Sequence, residues 1–458
     1  MMITYPILRL YLLGEVIEFR DRDIIEAKVT YEINPLSMEL PASTAEVSIY
    51  TTNSDFNPFS DAIYFQALKI NTPADLVEYV NGTEIYIGRF YINEWNNPSI
   101  GVIKFYLQDA IGSMDSIMFD GLFYEQPTNI STIVNVLNLQ APCDIVIDPA
   151  IYNVELKGYI PNGVSLRAAL QQVCFAAGAY AKTQGIDHIF IKPARFADSG
   201  AVVIPAYYDN LSAIYDDINV RYSDIIVDDV ITDLEKLDKQ ELTILPIVTG
   251  IELTAHYYVK SDEAEVISDS LLVPGDYKIV YEKPYGDVSV EGNVLALEYG
   301  TNSVSFNVPA TTQVTITGYP YNDNTSKLIW VNPQSQQDYF EGALYDAITS
   351  KYDDPNCLYG RLYSVNVAPN KWNITDATLI GDNNGQIVLN QLIKYAQEVY
   401  KQTITALADK NIDLGMLYLV DSLYDKKIVA GAEQVTINLS GGNLKETRLI
   451  GIEKMNYL

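Results

Sequence analysis

The segment from Tyr159 to Tyr180 restricts the possible folds of this chain more than any other. Ser165 can accept a free amide of a first helical turn, and apolar residues follow at helical spacing on one face, namely Leu166, Leu170, Val173, Cys174 and Ala177. A strand is predicted before this helix, and another over residues 188–193. Because the sequence on both sides predicts mostly strands and turns, we expect a small α/β unit between two β-rich regions.

Residues 1–108 predict a first β-domain. The segments 46–50, 85–92 and 102–107 are rich in β-branched and aromatic residues, and turn signals such as Asn81-Gly82 separate them. Short strands with such turns between them are typical of a barrel or a sandwich.

The other boundaries follow changes in this pattern. Residues 109–200 predict the α/β unit, which also has a short helix over 129–138. Residues 201–264 predict strands, and residues 385–458 predict a helix that contains Leu389 and Leu392, followed by a C-terminal hairpin. Residues 265–384 predict a β-rich insertion, with a small sandwich to about residue 320 and an irregular part over 331–384. The predicted fold class is mainly β with α+β parts.

The charge of the chain limits its partners. Thirty Lys and Arg stand against 59 Asp and Glu, which gives a formal net charge of -29. Such a surface repels nucleic acid and anionic membranes, so a role in reading DNA is disfavoured and no membrane insertion is expected. Tyrosines outnumber phenylalanines 35 to 13, which favours half-buried strands and protein interfaces.

The cysteines and the N-terminus indicate where the chain is made. Cys143, Cys174 and Cys357 are far apart and lack CxxC spacing, so neither a disulfide framework nor a zinc site is expected. The N-terminus lacks the basic-then-apolar order of a secretory signal, and we find no apolar run long enough to span a bilayer. We expect synthesis in a reducing cytosol.

The sequence offers little for catalysis. A Ser-His-Asp or Cys-His site needs an imidazole, and the two histidines, His188 and His256, lie in predicted strands, where we interpret both as structural. Paired carboxylates such as Asp353-Asp354 can hydrolyse glycosides. Adjacent acids on a strand, however, point to opposite faces, and we interpret these pairs as solvated. We predict no enzyme activity, no cofactor and no metal.

The densest acidic stretch runs from Asp209 to Asp238. Its nine acidic residues face only Arg221, Lys236 and Lys239. Such crowding costs self-repulsion. Two interpretations stay open: a solvated loop and strand edge, or a surface that repels a polyanion.

Several motifs together resemble the bacteriophage tail hub family, which includes the baseplate hub proteins of contractile phages and of phage-tail-like bacteriocins. The resemblance covers roughly residues 1–260 and 385–458. The motifs that carry it are Gly88-Arg-Phe-Tyr-Ile-Asn-Glu94, Phe105-Tyr-Leu-Gln-Asp-Ala110, Phe119-Asp-Gly-Leu-Phe-Tyr124, the helix segment 160–178, Asp413-Leu-Gly415 and the Ser440-Gly-Gly442 hairpin.

This resemblance implies two tail-tube-like β-barrel domains, a bracing α/β domain and a β-sandwich insertion. The first barrel would be residues 1–108, and the second would be assembled from about 205–260 plus 385–458. It also implies a homotrimer whose six barrels form a pseudo-sixfold ring between the hexameric tail tube, or a distal tail protein, and the threefold central spike. The tape-measure protein would be a further partner, and the insertion would contact other baseplate proteins.

The family resemblance gives the acidic stretch a specific hypothesis. A basic channel would bind DNA through counterion release, whereas an acidic channel would let DNA pass as cargo. We hypothesise that Asp216, Asp217, Asp228 and Asp229 line such a channel. The protein would lie at the tail tip or baseplate of the virion and be assembled in the bacterial cytoplasm.

Two other functions remain as alternatives. A carbohydrate-binding receptor or adhesin fits the Tyr-rich β-structure, and a cell-wall hydrolase would use paired carboxylates. Because the chain stops at Leu458 after a hairpin, we expect wall digestion and receptor binding to come from other chains.

Overall fold

The computed structural model of the protein describes residues 4–36, 39–52, 56, 62–185, 188–196, 202–203, 225–226, 228–232, 236–331, 370–407, 412–422, 427–440 and 444–453. Within these ranges the structure is mainly β with a few helices, as predicted. Thirteen strands from both ends of the chain form one large sheet, and smaller sheets surround it.

We keep the name first barrel for the predicted domain whose antiparallel strands have the spatial order β3-β4-β7-β6-β5-β1-β2, although no pairing among the described residues joins β2 to β3 and closes it. Its core consists of alternate strand residues such as Leu10, Val47 and Phe105. Asn81 and Gly82 both have positive φ angles (48° and 96°), which a tight hairpin turn requires and which this dipeptide tolerates. Its elements are β1 (Thr4–Leu12), β2 (Glu15–Arg20), β3 (Ile24–Glu32), β4 (Thr44–Tyr50), α1 (Ile63–Ala67), β5 (Pro73–Val80), β6 (Thr83–Ser99) and β7 (Val102–Gln108), with a 3-10 turn at Asp21–Asp23.

The α/β unit follows the first barrel. Its elements are α2 (Ala110–Ser113), β8 (Leu122–Asn129), α3 (Ile130–Asn138), β9 (Asp144–Ile147), β10 (Glu155–Ile160), α4 (Leu166–Ala176), β11 (Ala179–Gln184) and β12 (His188–Pro193), with 3-10 turns at Met114–Ser116 and Pro149–Ile151. The predicted cap of α4 is confirmed, because the Ser165 hydroxyl accepts the Ala168 amide at 3.2 Å. Leu166, Leu170 and Val173 of α4 are fully buried, as their spacing predicts.

The insertion contains the predicted sandwich. Its strands are β17 (Gly250–Lys260), β18 (Glu265–Leu272), β19 (Gly275–Val280), β20 (Tyr285–Glu291), β21 (Leu295–Tyr299), β22 (Ser303–Val308), β23 (Thr312–Val331) and β24 (Lys371–Ile374). The sheets β18-β23-β20 and β19-β22-β21 enclose a core that includes Val304, Phe306 and Ile316. The second half of β23 continues beyond the sandwich and pairs with β17.

We keep the name second barrel for a set of strands from both sides of the insertion, which no pairing among the described residues closes. Its elements are β15 (Asp229–Ile231), β16 (Lys236–Ile244), β25 (Tyr400–Leu407), β26 (Leu417–Asp421), β27 (Lys427–Asn438) and β28 (Leu444–Glu453). Two short paired strands, β13 (Val202–Val203) and β14 (Ile225–Ile226), precede them, and helix α5 (Gly385–Ala396) lies before β25. Residues 245–399 are inserted between β16 and β25 of this barrel. The residue before the insertion, Ile244, lies directly opposite the residue after it, Tyr400.

Helix α5 packs differently from its predicted place in the second barrel. Its buried residues Val388, Leu389 and Leu392 belong to the core of the α/β unit, together with Leu253 of β17. The apolar stripe of α5 was recognisable in the sequence, but the surface that it covers was not. The domain boundaries themselves stay predictions.

Two buried polar side chains, Asp109 and Lys182, fix the α/β unit to the barrels. The buried Asp109 carboxylate accepts the amides of Gly112 and Ser43 at 3.0 and 3.1 Å and the Thr183 hydroxyl at 3.0 Å. It therefore joins the end of the first barrel to both α2 and β11. On the other side, the Lys182 ammonium lies 2.8 Å from both carboxylate oxygens of Asp413, next to the second barrel.

We expect Asp109→Ala to lower the free energy of unfolding by about 3 kcal/mol, because it removes a helix cap and leaves buried donors without an acceptor. Urea unfolding followed by fluorescence measures this change. Asp262→Ala, at an exposed loop position, is the control and should change stability by less than about 0.5 kcal/mol. Equal effects of the two substitutions would contradict the role given to Asp109.

Candidate functional site

The candidate site is one face of an eight-stranded part of the large sheet, in the order β16-β25-β28-β27-β3-β4-β7-β6. All seven neighbouring pairs in this run are antiparallel. Residues directly opposite each other point to the same face, and successive residues alternate between faces. One face covers the two barrel cores, so the other must carry the residues between the core positions.

That second face is polar across both barrels. We call it the polar face and define it by rows of directly opposed residues. These rows are Asn96, Lys104, Ser48 and Glu26; Glu94, Tyr106, Glu46, Lys28 and Asn438; Tyr91, Gln108, Thr44, Thr30, Thr436, Glu446 and Thr405; Glu32, Gln434, Arg448, Thr403 and Glu241; and Gly431, Ile450, Lys401 and Thr243. The last row is apolar at Ile450 and Gly431.

The junction of the two barrels lies in the middle of the polar face. There β27 pairs with β3 from Gln434 opposite Glu32 to Asn438 opposite Lys28. Across this junction the hydroxyls of Thr30 and Thr436 lie 3.1 Å apart, and Arg448 Nη2 lies 2.8 Å from Glu32 Oε1. These contacts make the polar face continuous from one barrel to the other.

The polar face carries a net negative charge. Its six glutamates are Glu26, Glu32, Glu46, Glu94, Glu241 and Glu446, and its four cations are Lys28, Lys104, Lys401 and Arg448. Lys104 and Arg448 already form ion pairs with Glu46 and Glu32, at 2.7 and 2.8 Å. These two ion pairs leave the four exposed glutamates Glu26, Glu94, Glu241 and Glu446 against the two cations Lys28 and Lys401.

A buried carboxyl group lies beside the junction. Glu433 is the extra residue of a bulge in β27, where both Glu433 and Gln434 face the position of Arg448. Its side chain is buried and accepts the Tyr395 hydroxyl at 2.9 Å, while Arg448 Nη2 lies 3.9 Å away. Burial raises the pKa of Glu433 to about 7, with Tyr395 and Arg448 opposing the shift.

The raised pKa of Glu433 predicts a pH dependence of stability. Between the unfolded pKa of about 4.3 and the folded value, the native state binds more protons than the unfolded state, so stability falls as pH rises through this range. We expect Glu433→Gln to remove a loss on the order of 2–3 kcal/mol between pH 5 and 8. Urea titrations across this range measure it. Glu446→Gln, on the exposed surface of β28, is the control and should keep the slope of the parent protein.

Two of the four aspartates predicted to line a channel, Asp228 and Asp229, lie among the described residues. Asp228 lies 2.8 Å from Arg195 Nη1 and accepts the Leu417 amide at 2.8 Å, so it connects β15 and the α/β unit to β26. The Asp229 side chain is exposed and accepts the Val230 amide. Neither residue belongs to the eight-stranded run. Asp216 and Asp217 lie outside the described residues, as do Asp353, Asp354 and Cys357.

The polar face itself was missed in the sequence, although part of its signal was present. In β4, Ala45, Val47 and Ile49 are buried and alternate with Glu46 and Ser48, which indicates one polar face. That pattern does not reveal which strand of the second barrel continues the sheet, because β3 and β27 lie some four hundred residues apart.

His256 has a structural role in this arrangement. His256 is buried in β17, with Nδ1 2.8 Å from Asp323 Oδ2 and Nε2 3.1 Å from the Thr375 carbonyl oxygen. Both ring nitrogens are therefore occupied. Within the described ranges, no group of three His, Cys, Asp or Glu side chains is placed to hold a metal ion. No helix in the described part of the chain is long and apolar enough to cross a membrane.

Comparison with solved structures shows what fold this is. The tail protein from Neisseria meningitidis MC58 superposes with a TM-score of 0.50 at 10% identity, over 97% of this chain and 96% of that one. The prophage MuSo2 43 kDa tail protein from Shewanella oneidensis gives 0.48 at 7% identity (97% and 98% covered), and prophage tail protein gp18 from Listeria monocytogenes gives 0.46 at 10% identity (98% and 95% covered). No family model and no curated protein matches the sequence. The tail-protein resemblance found in the sequence is thus confirmed at the level of the fold.

Proposed function

We propose that this protein is a structural component of a phage tail or baseplate hub, in which three copies close into a ring and the polar face lines the channel. The observation that carries this proposal is the continuous polar face over eight strands of two barrels. In the virion, such a ring would join the tail tube or a distal tail protein to the central spike.

Two open strand edges support a ring. In the described part of the chain, β16 pairs only with β25, and the segment 93–99 of β6 pairs only with β7. Exposed edges of this kind pair readily with other strands. Because the intervening steps are all antiparallel, β16 and β6 run in opposite directions, so a β6 edge can join the β16 edge of another copy and preserve the alternation.

The number of strands decides whether a channel can exist. Eight strands alone close into a barrel whose interior side chains fill it, whereas barrels of 16 or more strands leave an aqueous channel. Three copies would contribute about twenty-four strands. With strands about 4.8 Å apart and tilted by about 40°, the ring would be roughly 48 Å across between backbones, which leaves room for a DNA duplex.

The charge of the polar face suits passage rather than binding. Acidic side chains repel the DNA backbone and prevent the counterion release that drives tight binding. We infer that DNA and the tape-measure protein pass through as cargo. The acidic pair Asp228 and Asp229 would add to this effect only if it also faced the channel, which remains a proposal.

The role we propose is structural and involves no catalysis. The α/β unit would brace the ring from outside, because it contacts the first barrel through Asp109 and the second through Lys182 and Asp413. The sandwich would lie further out and contact other baseplate proteins. Aromatic contacts of Phe123 with Tyr258 and Tyr321 fix it to the α/β unit.

We expect the purified protein to form a trimer at micromolar concentration. Each copy has two open strand edges, β6 and β16, which run in opposite directions and can pair with the edges of neighbouring copies. Light scattering coupled to size-exclusion chromatography gives the mass, and negative-stain microscopy should show rings with a central hole. A monomer that binds glycans would contradict the hub and favour a carbohydrate-binding protein.

The charge of the polar face makes a separate prediction. We expect the triple substitution Glu26→Lys, Glu94→Lys and Glu446→Lys to make the ring bind linear DNA in low salt, with affinity that falls steeply as salt is added. Electrophoretic mobility shift measures binding. The control reverses three exposed acids elsewhere, Asp262, Glu263 and Glu282, and has the same net charge. Equal DNA binding by both variants would contradict the assignment of the polar face to the channel.

A further inference from the structure

The two barrels repeat the same four strands on the polar face. The first contributes β3-β4-β7-β6 and the second β16-β25-β28-β27, in the same order and with the same directions. The pairing registers align the row Val47, Phe105 and Trp95 with the row Ile404, Thr447 and Val435. Each row carries core-facing side chains, so the alignment preserves the faces.

A shared irregularity fixes this alignment. In β6 the ladder to β7 is interrupted between Ile92 and Glu94, so Asn93 is an extra residue. In β27 the ladder to β28 is interrupted between Ala432 and Gln434, so Glu433 is an extra residue. Ile92 lies opposite Leu107, and Ala432 lies opposite Leu449, which are equivalent positions in the alignment. The same bulge therefore occurs at the same rung of both barrels.

Because the four strands repeat, the pairing between the two barrels inside the chain predicts how barrels of two different copies would pair. Inside the chain, the last strand of the second barrel, β27, pairs with the first strand of the first barrel, β3, with Thr436 opposite Thr30. Among the described residues, the equivalent strands that have an edge without a partner strand are β6 and β16. By the alignment, Asn96 corresponds to Thr436, and Thr243 corresponds to Thr30, because Thr243 lies opposite Lys401 as Thr30 lies opposite Thr44.

We propose that β6 of one copy pairs antiparallel with β16 of the next copy, with Asn96 opposite Thr243 and Trp95 opposite Ile244. This inference rests on the proposed ring and specifies which strands form its contacts and in which register. It requires no change in either barrel, since the junction repeats one that the chain already makes.

The backbone amides of β16 point in the directions that this pairing needs. The Leu245 amide donates to the Val399 carbonyl oxygen at 2.7 Å, so amides alternate and those of Leu242 and Ile244 point to the open edge. In β3 the Ile33 amide donates to the Glu433 carbonyl oxygen at 2.8 Å, which places the Tyr31 amide on the β27 side. Tyr31 is the equivalent of Ile244, so the same amide positions face the junction in both strands.

The side chains agree with the backbone. Ile244 is 70% exposed although it lies on the core side of the sheet. Its equivalent, Tyr31, packs against both barrel cores at the internal junction. Adding β6 of the next copy would place Trp95 beside Ile244 and cover this apolar side chain.

Engineered cysteines test the register. The pair Asn96→Cys and Thr243→Cys would place two thiols directly opposite each other between copies, within disulfide distance. On oxidation we expect covalent dimers and trimers in non-reducing gels. The control pair Asn96→Cys and Glu241→Cys is displaced by two residues and should stay uncrosslinked.

The outcomes separate this proposal from the ring itself. A trimeric mass without crosslinking of the first pair, or with crosslinking of the control pair instead, overturns the register but leaves the ring. A monomeric parent protein overturns both. Crosslinking of the first pair alone supports both.

A second variant tests the backbone contact. Ile244→Pro removes an amide that points to the open edge and leaves the ladder to β25 intact. We expect a monomer that still unfolds cooperatively, while Ile244→Val, which keeps the amide, stays trimeric. A trimer formed by Ile244→Pro with the affinity of the parent would overturn the proposal.

Discussion

The pairing of β27 with β3 is the contact on which the rest of the structure depends. It joins strands from the two ends of the chain, and through it two barrels become one sheet with a single polar face. Without this ladder, the ion pair of Arg448 with Glu32 and the contact of Thr30 with Thr436 could not form. The two barrels would then be independent domains, and their polar residues would not form one continuous face.

The positions around this ladder are held by buried polar groups rather than by apolar contacts alone. Asp109 fixes the exit from the first barrel, Lys182 and Asp413 fix the α/β unit to the second, and Glu433 lies at the bulge next to the ladder. Removing one partner of a buried polar contact leaves the other unsatisfied, which costs more than the contact itself contributes. Such contacts make the relative placement of the units specific.

The sequence predicted those features that depend on neighbours along the chain. The cap and apolar stripe of α4, the sandwich residues Val304 and Phe306, and the turn at Asn81-Gly82 were all predictable, because spacing and turn chemistry determine them locally. The surface covered by α5 and the strand beside β3 were not predictable, because many partners satisfy the same periodicity. The candidate site is of this second kind: its residues are ordinary strand residues, and only pairing across the chain brings them together. The acidic stretch around Asp228 is recognisable in the sequence by its charge density, whereas the polar face has both signs of charge and is recognisable only through its registers.

The excursion of residues 245–399 has a further consequence. The two residues that flank it, Ile244 and Tyr400, are paired with each other, so the length of the insertion does not affect the pairing of β16 with β25. The entropic cost of closing such a loop grows only slowly with length. The insertion can therefore be replaced or lengthened while the large sheet keeps its geometry. The sandwich can thus change in length or sequence while the pairing registers of the large sheet stay the same.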